Sequence, residues 1–377
     1  TPPAPPPCKP TGPTMQLRLE PRALPSRAMS YASPLIAAAL TLVMGFILFA
    51  ALGKNPLAAF FAFFIAPINS INGVAELFLK ASPLVLIAIG LAVGFRSNIW
   101  NIGAEGQLTI GAIAAGWVAL NPAFADSPLL LAGMIVAGAI GGMAWAAIPA
   151  FLRTRFNANE ILVSLMLTYV AQLLVNYLVF GPWRDPQGFN TPQSPLFADA
   201  ALFPILIENT RLNASVLLTL VVVAVGWVFL NKSFLGYKTR VAGLSSAAAR
   251  YAGFSESRTV WVGMLAGGAA AGLAGVGEVA GPLGQLFPTI SPGYGFTAII
   301  VAFVGRLNPV GILFAGLLMS LLYLGGDSAQ ISMGLPAAAA SLFQGALLFF
   351  LLGADVLVNY RVRVIRAAPA RRRELAA

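Results

Sequence analysis

Glu105 and Gln107 stand at the head of a stretch otherwise suited to a lipid bilayer. They lie in Asn98–Gly111, NIWNIGAEGQLTIG, which leads into an uncharged window from Gly106 to Ala125. An ionisable side chain at that depth is costly and points by default to a substrate or ion path. Asn101, Glu105 and Leu108 fall at i, i+4 and i+7, so one continuous helix would align them on a single face. Gly103, Gly106 and Gly111 would allow close helix approach or a broken helix. The alternative is that Glu105 lies near the interface and only caps a helix N-terminus, where a carboxylate is favoured.

Two further stretches carry the same choice. In Asn157–Ser164, NANEILVS, Asn157 or Asn159 can serve as N-cap, with Glu160 in the first turn. A gating or lining role at Asn159 and Glu160 is the functional alternative. In Gly267–Gly295, glycines recur around Glu278 and are followed by Pro282, Pro288 and Pro292. Irregular backbone at membrane depth is tolerated only where it is buried in protein or lines a cavity. A sequence that breaks its own helix there marks a path or gate, with tight helix packing as the plain alternative.

A fourth stretch, Lys232–Arg258, is polar and mainly basic. Within it Val241–Gly253, VAGLSSAAARYAG, sets an Ala-rich segment between Gly243 and Gly253, which predicts a short helix. Leu244, Ala248 and Tyr251 would share one face. A plain connector needs no such helix, so this stretch reads as a docking element for a cytoplasmic partner.

The elements that must position these residues follow from composition. Of 377 residues 58% are hydrophobic and only 10% charged, against roughly a quarter charged in a soluble domain. An ordinary soluble enzyme and a disordered chain are thereby excluded, leaving an all-α polytopic membrane protein. There is no His, which removes imidazole bases and zinc–His sites, and the single Cys8 cannot form an intrachain disulfide. No Walker-type loop occurs, so any ATPase is another chain. The formal charge of +10 does not mark a nucleic-acid binder, because the basic residues gather at segment ends.

Ten windows are long and apolar enough to predict spans. They are Ala28–Gly53, Ala81–Phe95 (extendable to Val74), Gly106–Ala125, Ser127–Leu152, Ile161–Trp183, Leu212–Asn231, Thr259–Gly277, Val279–Gly305, Leu307–Gly326 and Ser328–Ala354. The eighth should be a shorter helix after an irregular stretch, from about Thr289. Leu57–Pro67 is too short to span and reads as interfacial or re-entrant. With both termini in the cytoplasm, only Lys54, Lys80, Arg184 and Arg211 of the 23 basic residues fall outside, a strong positive-inside pattern. Gly138–Leu167 and Gly311–Ala340 share a texture five spans apart, which predicts two inverted five-helix repeats.

This gives the following organisation. Residues 1–30 form a disordered Pro-rich and basic extension, in which Met15 reads as a start. Residues 31–360 form the transmembrane domain, with an outer loop at 184–211 that serves an external partner or merely connects, and a cytoplasmic docking loop at 232–258. Residues 361–377 form a basic cytoplasmic tail.

NIWNIGAEGQ, ANEILVSLML, GYKTRVAGLSSAAARYAG and GYGFTAIIVAFVGRLNPVGI occur in that order. Together they resemble the membrane permease subunit of bacterial nucleoside-type ABC importers, within the wider group that carries simple sugars and branched-chain amino acids. The resemblance runs from about Ala32 to Tyr360, and GAEGQ after Asn-Ile is fairly specific to the nucleoside branch. It implies a type II-like importer permease in the bacterial inner membrane, with both termini cytoplasmic, moving nucleosides, purines foremost, by alternating access. It implies a cytoplasmic ATPase carrying ATP-Mg, a second related permease and an external substrate-binding lipoprotein. This chain would bind no cofactor and no nucleic acid, and its surroundings would be membrane lipid. The stretch 241–253 matches the family's coupling helix, with Gly243, Leu244, Ala248, Arg250, Tyr251 and Gly253 facing the ATPase. Asn101–Gln107 and Gly293–Phe296 would lie at or near the path, which places Trp100, Asn101, Glu105, Gln107, Tyr294 and Phe296 there alongside Asn159, Glu160 and Glu278. The competing readings are an ABC permease for a simple sugar and a stand-alone secondary transporter, whose coupling carboxylates would be Glu105 and Glu278.

Overall fold

Apolar runs and the side chains that close them account for the helices of the computed structural model. The structure describes residues 15–21, 27–124, 127–188, 191–336 and 360–366, with 338, 341–343, 345–346, 349–350, 353–354 and 356. In chain order the elements are β1 Met15–Pro21, α1 Arg27–Ala51, α2 Pro56–Phe60, α3 Ile71–Phe95, α4 Ala104–Leu120, α5 Leu130–Phe156 and α6 Glu160–Phe180. They continue with α7 Ser215–Lys232, α8 Phe234–Leu244, α9 Ser246–Tyr251, α10 Glu256–Glu278, α11 Tyr294–Val304, α12 Pro309–Met333 and β2 Tyr360–Arg366. Ser70, Asn159, Ser233, Ser245, Ser255 and Asn308 each accept a first-turn N–H. A cap of this kind contributes about 1 kcal/mol.

Chain contacts divide the molecule into two units, residues 57–340 and residues 1–56 with 341–377. In the larger unit α10 is the axis, packed against α3, α4 and α5. The reason is side-chain size. A Cβ on Gly272 of α10 would overlap the backbone carbonyl of Gly138 in α5, so only glycine permits this approach. Helix α3 is buried along nearly all of Ala81–Phe95, whereas α5, α6 and α7 each bury one stripe and expose the rest as apolar surface.

Six helices among the described residues are long and apolar enough to cross a membrane: α3, α5, α6, α7, α10 with its extension to Leu283, and α12. Helices α1, α4 and α11 fill the first, third and eighth expected windows. The eighth is a half-helix after irregular backbone, as expected, but begins at Tyr294. One boundary needs correction. The ninth and tenth windows were divided at Asp327, yet α12 runs through Asp327 and ends at the left-handed Gly334. The charge is tolerated because Lys80 of α3 donates to Asp327 at 2.7 Å. The tenth window and the second repeat candidate run partly outside the described residues. Leu57–Pro67 forms a compact turn of α, π and 3₁₀ geometry, Pro56–Ile68, seated against α12.

In the smaller unit, part of the N-terminal extension expected to be disordered is a strand, and the start of the basic tail is its partner. Met15–Pro21 pairs antiparallel with Tyr360–Arg366, in register from Met15 opposite Arg366 to Pro21 opposite Tyr360. The signal was present as apolar–polar alternation through MQLRLE and through YRVRV. Residues 1–14, 22–26 and 367–377 lie outside the described residues. In the same unit Phe49 of α1 packs on Phe343, ring centroids 5.9 Å apart.

Candidate substrate path and docking element

Glu105 lies in the first turn of α4 and is buried. Its Oε2 accepts the backbone N–H of Gly295, in the first turn of α11, at 2.6 Å. Ser291 Oγ accepts from the N–H groups of Gly293 and Tyr294 at 3.1 and 2.9 Å. The donors left free at the start of α11 therefore end on a hydroxyl and a carboxylate. The two helix starts meet backbone to backbone, because a Cβ on Gly295 would overlap N and Cα of Glu105. Glu105 is thus a cap for a helix remote in sequence, at a junction of broken helices.

Asn101 does not share a helical face with Glu105, because α4 starts only at Ala104. Asn101 and Gln107 exchange amide hydrogen bonds at 2.9 and 3.0 Å, and Asn101 Oδ1 also accepts from Gly103 N–H at 3.1 Å. Both side chains are fully buried and bonded to each other, so they fix the entry into α4. Trp100, just before them, forms a three-ring cluster with Phe95 and Phe303, tilted against Phe95 at a centroid distance of 5.3 Å and stacked on Phe303 at 5.5 Å.

Asn159 caps α6 as the sequence suggested, while Asn157 adopts the left-handed conformation that ends α5. Glu160 is buried and forms an ion pair with Arg153, and its Oε1 also accepts the Trp100 N–H at 3.5 Å. These residues join the α5–α6 turn to the entry into α4.

Glu278 ends α10, immediately before a π-helical turn, Val279–Leu283, that breaks at Gly281. It lines a cavity of about 320 Å³ with Glu76, Lys80, Arg211, Pro292 and Tyr294. Arg211 holds Glu76 through two hydrogen bonds of 2.7 and 2.8 Å, and that bond raises its guanidinium pKa above the ordinary value. Phe296, three residues after Gly293, is exposed and does not line this cavity.

The loop 184–211 is more than a connector. Ser194, Phe197 and Phe203 donate their N–H groups to the carbonyls of Leu286, Gly284 and Ala280 at 3.0, 2.9 and 2.8 Å. The break after α10 frees those carbonyls, and the loop satisfies them. Gln172 of α6 likewise donates to the Pro288 carbonyl at 2.5 Å. Sequence reasoning missed Gln172 and these backbone pairings, which carry no residue-type signature.

At the opposite end from Lys80 in α3, Arg96 was read only as a topology charge. Its guanidinium donates to the Leu307 carbonyl at 3.0 and 2.8 Å and to the Leu230 carbonyl at 3.1 Å. Burial, and next the charge of Arg240, lowers its pKa from the ordinary value. The short helix expected between Gly243 and Gly253 is α9, but Leu244, expected on its face, belongs to the preceding helix α8. Leu244 closes α8, extended Ser245 breaks the backbone and caps α9, and Gly253 has φ of +76°. Gly243 packs on the Arg96 carbonyl. Leu244, Ala248, Arg250 and Tyr251 are nonetheless exposed, at 80% for Leu244 and 97% for Tyr251, while Ala249 faces inward. Lys238 adds a neighbouring aromatic patch, 4.4 Å from the Phe234 ring centroid and 5.3 Å from that of Phe254.

The described residues thus form a bundle of apolar helices with a broken helix seated on a buried carboxylate and an exposed helical elbow. The family described as branched-chain amino acid transport system / permease component matches residues 73–352, and this chain belongs to it. It is similar to the glucose ABC transporter permease protein TsgB13 of Haloferax volcanii, 37% identical over 93% of this chain and 94% of that protein. It is also similar to the guanosine ABC transporter permease protein NupP of Bacillus subtilis, 30% identical over 88% and 94%. The nucleoside ABC transporter permease protein NupB of Lactococcus lactis is 29% identical over 84% and 89%. The chain is accordingly a multi-pass membrane protein and an ABC permease subunit.

Proposed function

We propose that the chain is the permease subunit of an ATP-driven importer of nucleosides, purine nucleosides foremost, in a bacterial inner membrane, with both termini cytoplasmic. The observation that carries the ATP-driven reading is the elbow Phe234–Tyr251, whose Leu244 and Tyr251 are apolar, exposed and held by a fixed cap. A stand-alone secondary transporter has no need of such an element. In this reading a separate ATPase carries ATP-Mg and docks on Gly243, Leu244, Ala248, Arg250, Tyr251 and Gly253. A second related permease completes the membrane part, and an external lipoprotein delivers cargo.

Closure of the ATPase pair draws the docked elbows together, and Arg96 passes that movement to α7 and the α11–α12 turn. The half-helix α11, held by Glu105, then shifts against α4, and the path opens alternately to the two sides. Trp100, Asn101, Gln107, Asn159 and Glu160 brace the end nearer the elbow. Glu278 and Tyr294 face cargo at the other end, and Phe296 faces lipid or the companion permease.

The GAEGQ stretch and the likeness to NupP and NupB support nucleosides. The higher identity to TsgB13 supports glucose as the second reading. Uptake of radiolabelled guanosine, adenosine and glucose by cells expressing the chain with its neighbouring transport genes decides between them. ATP-dependent guanosine uptake insensitive to excess glucose is expected, and the reverse pattern would reassign the cargo.

A further inference from the structure

The cavity at Glu278 has a composition that selects one kind of ligand. Four charged side chains line it, Glu76, Lys80, Arg211 and Glu278. Three of them are engaged. Arg211 and Glu76 hold each other through two hydrogen bonds, and Lys80 holds Asp327 at 2.7 Å. Glu278 is only 9% exposed, its carboxylate has no hydrogen-bond partner among the described residues, and the nearest cations acting on it are Lys80 and Arg211. The ionised form of a buried carboxyl is costly without donors, and a ligand that supplies them favours it. Tyr294, on the first turn of α11, brings a phenol to the same cavity, its ring standing edge-on to Tyr323 at 6.1 Å.

An ionised carboxylate only accepts hydrogen bonds, and its two oxygens accept side by side from two adjacent donors. Both cations have carboxylate partners already, so a phosphorylated cargo finds no free counter-charge. Two cations already line the cavity, so its carboxylate does not depend on a ligand for counter-charge. A neutral molecule rich in adjacent O–H donors supplies what that carboxylate lacks. The volume, about 320 Å³, is at the small end of small-molecule sites, roughly 300–1,000 Å³.

We propose that this cavity is a diol-binding subsite, in which the Glu278 carboxylate accepts from two vicinal hydroxyls of a neutral polyhydroxylated cargo and Tyr294 closes over the ring that carries them. The proposal rests on the importer reading above. Vicinal hydroxyls belong equally to the ribose of a nucleoside and to a free sugar. The subsite recognises the feature those cargoes share, and the base or the remaining hydroxyls are read elsewhere. Because Tyr294 precedes Gly295, the residue that Glu105 holds, a ligand on Glu278 bears directly on the start of the half-helix.

Thr289 lies exposed at the cavity edge, and Cys8 is the single native thiol. In a Cys8→Ser background, Thr289→Cys is labelled with a thiol reagent in membranes holding the full chain and the subunits it is expressed with. Guanosine and glucose are the probes, against 2′,3′-dideoxyguanosine, guanine and guanosine monophosphate. Slower labelling with guanosine or glucose, and with neither the dideoxy compound, the free base nor the monophosphate, is expected. Glu278→Gln should leave the unliganded labelling rate unchanged and weaken protection about tenfold or more, the effect of losing a charged acceptor. Equal protection by guanosine and dideoxyguanosine overturns the proposal, as does undiminished protection in Glu278→Gln. If Glu278→Gln fails to insert, the dideoxy comparison with Glu278 in place decides alone. Uptake of guanosine or glucose without diol-dependent protection removes the subsite and leaves the importer reading standing. Neither uptake nor protection removes both.

Discussion

Glu105 and Gly295 are 190 residues apart in sequence and joined at 2.6 Å, carboxylate oxygen to backbone N–H. The bond sets the start of one helix on the start of another, with no room for a side chain between them. Glu105 lies in the first turn of α4, yet the helix start it caps is that of α11.

Glu105→Gln keeps an acceptor but loses the charge at a helix N-terminus, an interaction of about 0.3–2 kcal/mol. Glu105→Ala leaves the Gly295 N–H buried without a partner, at about 1–3 kcal/mol. We expect both variants to reach the membrane, with lower thermal stability in detergent in that order and with uptake reduced severely in each. Wild-type stability and uptake in Glu105→Ala would show that the junction is held by packing alone.

Arg96 should prove irreplaceable by lysine. Its planar guanidinium reaches the carbonyls of Leu307 and Leu230 at once, a geometry that a single ammonium cannot reproduce. Arg96→Leu should cost about 1.5–3 kcal/mol, the scale of hydrogen bonds from a charged donor. Arg96→Lys should recover less than half of that loss. Equal melting temperatures for Arg96→Lys and the parent would mean that charge, and not the fork, matters.

Ala248→Arg adds bulk and charge to the exposed face of α9 without touching the Ser245 cap, which is made to the backbone N–H of residue 248. The expected result is normal membrane insertion with loss of ATPase co-purification and of uptake. Retention of both would remove the docking assignment.

Topology is open to cysteine labelling in a Cys8→Ser background. Ser246→Cys should react only from the cytoplasmic side. Gln193 is half-buried against Gln285, so Leu196→Cys, at a position 74% exposed, is the better outer probe. Reaction of both from one side contradicts the inside-outside assignment.

The sequence by itself determined whatever depends on local composition. Apolar windows mark the helices because the bilayer demands a fixed length of apolar chain. The glycines and prolines of 267–295 announce a broken helix, and Ser or Asn before a run announces its cap, as at Asn159 and Ser245. The tertiary structure alone decided the rest. That Asn101 bonds Gln107 and leaves the face of Glu105, that loop 184–211 feeds its N–H groups to the broken helix, and that Asp327 is tolerated inside α12 all depend on partners remote in sequence. Glu278 shows the same division. Its place among glycines was legible, but its lack of a donor became visible only once Arg211 had taken Glu76 and Lys80 had taken Asp327. Hydrogen bonds and ion pairs act over about 3 Å of space. Sequence separation does not record which groups folding brings within that reach.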